Sequence, residues 1–115
     1  MPYKARQGDI ILLTFDPQAG HEQTGRRPAL VVSNNKVNNY FAKTQPAAMV
    51  CPITNTDKNL PIQPRLDERT KTGGVIICDQ AKFVDLTARG AMFLEQAPED
   101  IVFEAVDIII GFVEI

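Results

Sequence analysis

The stretch DIILLTF, Asp9–Phe15, sets the class of fold. It is a near-continuous apolar run, too short for a helix and preceded by Gly8, so it reads as a buried β-strand. Outward from it, PALVVSN (Pro28–Asn34) has the same character, with Pro28 at a first strand position where a missing N–H costs little. AAMVCPIT (Ala47–Thr54) is a third strand, whose end Pro52 pushes toward a sheet edge or bulge. Between them, residues 35–45 are polar and read as a loop or a short helical turn.

The second half carries shorter signals. TNTDKN is rich in turn residues, and LPIQPRL is at best a short edge strand, since Pro61 and Pro64 both disfavour a central one. Asp67–Gly74 reads as a loop. GVIICDQ (Gly74–Gln80) is the strongest strand signal here, AKFVDL continues as strand or bend, and AMFLEQ fits either type. The period then changes. Ile101, Ala105, Ile108 or Ile109, and Phe112 fall at helical spacing with Glu104 and Asp107 opposite. Pro98 suits a first helical position, and Glu99 and Asp100 suit the positive helix N-terminus. Several short strands and one terminal helix predict a mostly β domain over residues 1–115: a small antiparallel barrel or twisted sheet with a C-terminal α-helix.

Composition agrees with a globular chain: 44% of the 115 residues are hydrophobic and 23% charged. No run approaches the roughly 20 apolar residues of a membrane span, so no membrane association is expected. MPYKARQGD lacks the apolar segment of a secretory signal, which makes the cytoplasm the expected location. Cys51 and Cys78 each sit in an apolar run and read as buried free thiols. The net charge of −2 is unevenly spread. All 12 Lys and Arg lie within residues 1–89, which carry +4, and residues 90–115 carry −6. A basic patch can thus hold phosphate on an acidic molecule.

Chemistry concentrates in GHEQTGRRP, Gly20–Pro28. His21 is the only histidine. Arg27 precedes Pro28, which biases it to extended backbone and anchors it at the foot of a core strand. A planar guanidinium there suits phosphate, and alternation along a strand turns Arg26 the other way. Thr54 ends the third strand, where its hydroxyl can bond a phosphate oxygen or cap the turn. Asp79 follows four apolar residues and reads as partly buried, a setting that raises a carboxyl pKa, or as an acceptor of backbone N–H groups in the next turn.

GDI near the N-terminus, FDPQAGHEQTGRRPALVVSN, VCPITN, and TGGVIICDQ followed by VDLTARG occur in one order, and together they resemble the MazF/PemK/Kid family of toxin–antitoxin ribonucleases from about Gly8 to the C-terminus. The resemblance implies an SH3-like barrel of the MazF/CcdB type, a homodimer, and cofactor-free, metal-independent cutting of single-stranded RNA. It also implies a MazE-like antitoxin partner whose acidic tail covers the RNA groove. By motif, Arg27 and Thr54 match the family's catalytic arginine and threonine. His21 is a further catalytic candidate, and Glu22, Gln23, Arg26, Asn55, Asp79 and Gln80 are expected to contact substrate. In the Kid-like branch an arginine stands two residues before the aspartate; here that residue is Ile77. Which group is base and which is acid stays open. The alternative is a toxin of this fold that inhibits DNA gyrase or binds nucleic acid without cutting.

Overall fold

The computed structural model describes residues 3–15 and 25–115. Its strands are β1 (Asp9–Thr14), β2 (Arg26–Val31), β3 (Ala47–Thr54), β4 (Val75–Ile76), β5 (Lys82–Asp85) and β6 (Met92–Gln96). The helices are α1 (Asn35–Ala42) and α2 (Glu99–Val113), and a single 3-10 turn spans Cys78–Gln80. The strands form one antiparallel sheet in the order β4-β3-β2-β1-β6, with β5 also pairing with β3. The sheet is open, so of the two expected forms it is the sheet rather than the closed barrel.

The apolar runs arise because the central strands are covered on both faces. Ile10, Leu30, Cys51, Ile53 and Ile76 pack on one side, against Ile101 and Ala105 of α2. Ile11, Leu13, Ala29, Val31 and Val50 pack on the other, with Phe15 and Val84. Neighbours in sequence therefore serve opposite cores, and no polar alternation remains to be read.

Several open sequence readings are decided and others are corrected. Residues 35–45 hold a two-turn helix: the Asn34 side chain caps it by accepting the Val37 N–H at 2.9 Å. Asn38, 2% exposed, is satisfied by the Ser33 carbonyl at 2.9 Å and hydroxyl at 2.5 Å. LPIQPRL forms no strand; only Arg65 bridges to Val75. AMFLEQ contributes β6. Pro98 caps α2 from outside, at φ −58° and ψ 140°, one residue before the expected place. Phe112 is half exposed rather than buried. Pro28 lies within β2, opposite Leu12, one residue before the β2–β3 ladder begins at Ala29 and Pro52.

Pro52 is neither at an edge nor in a bulge, and it shapes the segment after β4. Along β3 the polar groups of Val50 and Pro52 face the side shared by β4 and β5. There β5 ends at the Val50–Lys82 pair and β4 begins at Ile53–Ile76. The Pro52 carbonyl accepts the Ile77 N–H at 2.8 Å. An antiparallel pair would return a second bond, from the N–H of residue 52 to the Ile77 carbonyl, but proline has none. The Ile77 carbonyl instead accepts the Gln80 N–H at 3.1 Å. That bond closes the 3-10 turn, so the expected strand 74–80 shortens to Val75–Ile76. Cys78, at the turn's start, is buried beneath α2 with its Sγ 3.8 Å from the Ala105 carbonyl. Both cysteines are buried free thiols, as expected.

Candidate active site

The end of β3, the foot of β2 and the 3-10 turn converge on one cleft of about 550 Å³. Arg27 enters from β2, Thr54 and Asn55 from the end of β3, and Asp79 and Gln80 from the turn. Lys58 and Gln63 also line it, and buried Ile77 contributes an apolar side chain at the position where the Kid-like branch has an arginine. The charged lining is thus two cations and one carboxylate.

Local geometry fixes each group. Arg27 is half-buried at its strand foot, and a fixed cation is better prepared to meet a developing negative charge than a mobile one. The Thr54 hydroxyl accepts the Thr56 N–H at 3.2 Å, so it caps the turn, as one reading held, while lining the cleft. A hydroxyl that accepts in this way keeps its proton to donate. Gly74, at φ +110°, lets the returning chain lie directly against the Thr54 carbonyl, a space no Cβ could share. Asp79 is exposed rather than partly buried. Its carboxylate accepts from the Gln63 side-chain amide at 3.4 Å.

Arg26 turns away from this cleft, as strand alternation predicts. Its guanidinium donates to the Thr14 hydroxyl at 3.2 Å and to the Arg89 and Gly90 carbonyls at 3.4 and 2.7 Å. It borders a second, smaller depression that Arg27 and Asn55 also line. His21, Glu22 and Gln23 lie outside the described residues. Lys58 and Gln63 escaped the sequence reading because a lysine in TNTDKN and a glutamine between two prolines look like ordinary turn residues. The one available signal was their position between Thr54 and Asp79.

Among the described residues, no group of three or more His, Cys, Asp or Glu side chains stands close enough to hold a metal ion. None of their helices is long and apolar enough to cross a membrane.

The sequence model of the PemK-like, MazF-like toxins of type II toxin–antitoxin systems matches residues 6–111. The chain belongs to this toxin family. Endoribonuclease PemK of Escherichia coli is 37% identical over 102 residues, covering 85% of this toxin and 74% of that protein. The crystal structure of MazF from Deinococcus radiodurans superposes with a TM-score of 0.87 at 33% identity, covering 98% of this chain and 99% of that one. A MazE–MazF crystal structure from the same organism gives 0.81 at 33% identity, covering 96% of each chain. The MazF-like fold of the toxin is therefore that of its relatives along nearly its whole length.

Proposed function

We propose that this toxin's endoribonuclease activity resides in the Arg27–Thr54–Asp79 cleft and that it cuts single-stranded RNA at short preferred sequences without a metal ion. The observation that carries this reading is convergence. Three segments far apart in the chain deliver a guanidinium, a hydroxyl, an amide and a carboxylate to one open cleft.

Such a set suits cleavage by the substrate's own 2′-hydroxyl. That oxygen attacks the adjacent phosphorus, the bond to the 5′-oxygen breaks, and a cyclic phosphate and a 5′-hydroxyl result. Negative charge builds on the non-bridging oxygens. Arg27 meets it with a charge that survives any working pH, and its fork can grip two oxygens at once. The Thr54 hydroxyl adds a hydrogen bond to the same group. Asp79 stands in the cleft as the acceptor for a proton, and Ile77 rules out the arginine partner of the Kid-like branch. His21 remains the other candidate for proton transfer, on the ground of its near-neutral ordinary pKa. Lys58, Gln63, Asn55 and Gln80 line the path on which neighbouring phosphates and bases lie.

The relatives crystallised as MazE–MazF complexes support an antitoxin partner for this chain. Met92, Phe93 and Leu94 on β6 and Phe103 on α2 are large apolar side chains left exposed, which suits protein contact, including a homodimer. A cytoplasmic place of action follows from an RNA substrate.

The test is Arg27→Ala assayed on mixed RNA in EDTA beside the parent. The parent is expected to cut and the variant to lose about 10²–10³-fold in rate, with an all-DNA strand left intact because it lacks the 2′-hydroxyl. Equal cutting by parent and variant would overturn the site. Loss of parental cutting in EDTA would overturn metal independence.

A further inference from the structure

One guanidinium grips the two residues that flank Lys58. Arg65 donates through Nε to the Asp57 carboxylate and through a terminal nitrogen to the Asn59 side-chain carbonyl. The Asp57 carboxylate also accepts the Asn59 N–H at 2.7 Å, and Asn59 takes the left-handed backbone at φ 56°. Lys58, between the two gripped residues, lines the main cleft, whereas Asp57, Asn59 and Arg65 do not. Arg65 has a fixed footing. Its backbone bridges to Val75, which pairs with Thr54 on β3. On either side of that bridge the Ile76 N–H donates to the Pro64 carbonyl at 2.8 Å and the Leu66 N–H to the Gly74 carbonyl at 2.9 Å. Thr54, Val75 and Arg65 therefore lie side by side, and the Arg65 side chain holds the loop that follows Thr54.

We propose that Arg65 is a positioning residue that sets the Lys58 ammonium against the RNA backbone, in a fixed relation to Thr54. The inference rests on the ribonuclease reading above. Arg65 itself does not touch the substrate. An exposed pair such as Arg65–Asp57, with side chains 57% and 36% exposed, adds little to stability, so its worth lies in where it puts the chain. Ordering a long side chain on binding is costly. The two-pronged hold on residues 57 and 59 fixes the backbone of residue 58 beforehand and leaves only the lysine side chain to be ordered. The planar fork is needed for this, since a lysine at 65 presents one point charge and cannot hold a carboxylate and an amide in that geometry. Lys58 then offers a cation to a phosphate beside the one that reacts, which serves binding more than the bond-breaking step.

The test separates position from charge. Parent and variants are assayed on a short RNA cut at one mapped bond, over a range of salt concentrations, at a temperature where melting curves show each to be folded. Lys58→Met is expected to raise KM roughly 2- to 5-fold, the scale of one exposed ion pair. It should also lower the slope of log KM against log salt by about 0.7, with kcat changed less. Arg65→Met should do the same from outside the cleft, with Arg65→Lys between it and the parent. Asp57→Ala should also raise KM, although it makes the protein less acidic; a plain charge effect would lower KM. In the Lys58→Met background neither Arg65→Met nor Asp57→Ala should add a further loss. A parental KM and salt slope in Lys58→Met or in Arg65→Met overturns the positioning role. So does an Arg65→Met loss that adds in full to that of Lys58→Met, or a lowered KM in Asp57→Ala. Each of these outcomes leaves the ribonuclease reading standing. A parent that leaves every RNA intact overturns that reading, and the positioning role with it.

Discussion

Gly74 packs so closely against Thr54 that a Cβ at 74 would overlap the Thr54 carbonyl. At φ +110° the backbone is also one that residues with side chains rarely adopt. Gly74→Ala is therefore expected to destabilise the protein by about 3 kcal/mol, combining backbone strain with displacement of the chain. Urea denaturation measures the loss. RNA cleavage should fall further than stability accounts for, because the displaced group is the end of β3.

Thr54 separates two roles of one hydroxyl. Thr54→Ser keeps both the bond from the Thr56 N–H and a donor for phosphate, and should retain most activity. Thr54→Ala loses both. It should cost roughly 1 kcal/mol in stability and on the order of 10-fold or more in cleavage rate. Paired melting and rate measurements read the two losses separately, and a Thr54→Ala enzyme as fast as the parent would remove the hydroxyl from the chemistry.

Acid should loosen the Lys71–Thr72 segment, which donates hydrogen bonds to Glu95 of β6. Burial pushes the Glu95 carboxyl up, but the N–H groups of Lys71 and Thr72 and the Thr72 hydroxyl outweigh it and hold the pKa below the ordinary glutamate value. Asp67 and Asp100 are held low by hydrogen bonds from Arg69, and Asp57 by one from Arg65. Groups held low stabilise the fold above their ordinary values, about 4, and that contribution is lost as pH falls through the lower folded values. Stability is expected to be level above about pH 5 and to decline below pH 4. Glu95→Gln should flatten part of that acid limb, and added salt should weaken the exposed arginine pairs but leave the backbone bonds to Glu95. Denaturation midpoints from pH 2.5 to 7 check this.

Asp9 is buried, 3% exposed, and is held by the Tyr3 hydroxyl, the Gln96 side chain and the Arg6 N–H at 3.1 Å. Tyr3→Phe removes one donor from a buried carboxylate and should cost about 1.5–3 kcal/mol. Burial, then the bond to Asp9 and its charge, push the Tyr3 phenol well above its ordinary value of 10.0. Its contribution is thus complete below pH 10 and declines as pH rises beyond it. Tyr3→Phe should lack this alkaline decline in a pH series of melting temperatures.

Cys51 and Cys78 are 0% and 1% exposed. The hydrogen bond with Cys78 comes first and burial second in pushing the Cys51 thiol far above its ordinary range, which leaves almost no thiolate to react. Neither is expected to react with a thiol reagent in the folded protein, and both should react in urea. Rapid labelling of either in native buffer would contradict the packing.

The main strands could be read from sequence because burial on two faces leaves unbroken apolar runs such as Ile10–Leu13. The helix α1 was legible only as a loop or a short helical turn. Its sequence, NKVNNYFA, is polar on average and its buried residue is an asparagine, held by Ser33, with the Asn34 cap at the helix start. Arg27, Thr54 and Asp79 stand out by their places in the chain, the motif resemblance adds Asn55 and Gln80, and all five share the cleft. Spacing alone could not have joined them, since they come from three separate segments. Arg26, also expected among the contacts, stands outside this cleft, where its guanidinium donates to Thr14, Arg89 and Gly90.

The absent N–H of Pro52 has a consequence for how this site could change. CDQ contains no glycine or proline of its own to force a bend. The instruction to leave the sheet is written on the opposite strand, as a hydrogen atom that is not there. Pro52→Ala would restore a competing rung for the Ile77 carbonyl and invite β4 to run on, carrying Asp79 and Gln80 off with it. A substitution hidden in the interior could thus disarm the toxin while every residue that meets the substrate stayed the same.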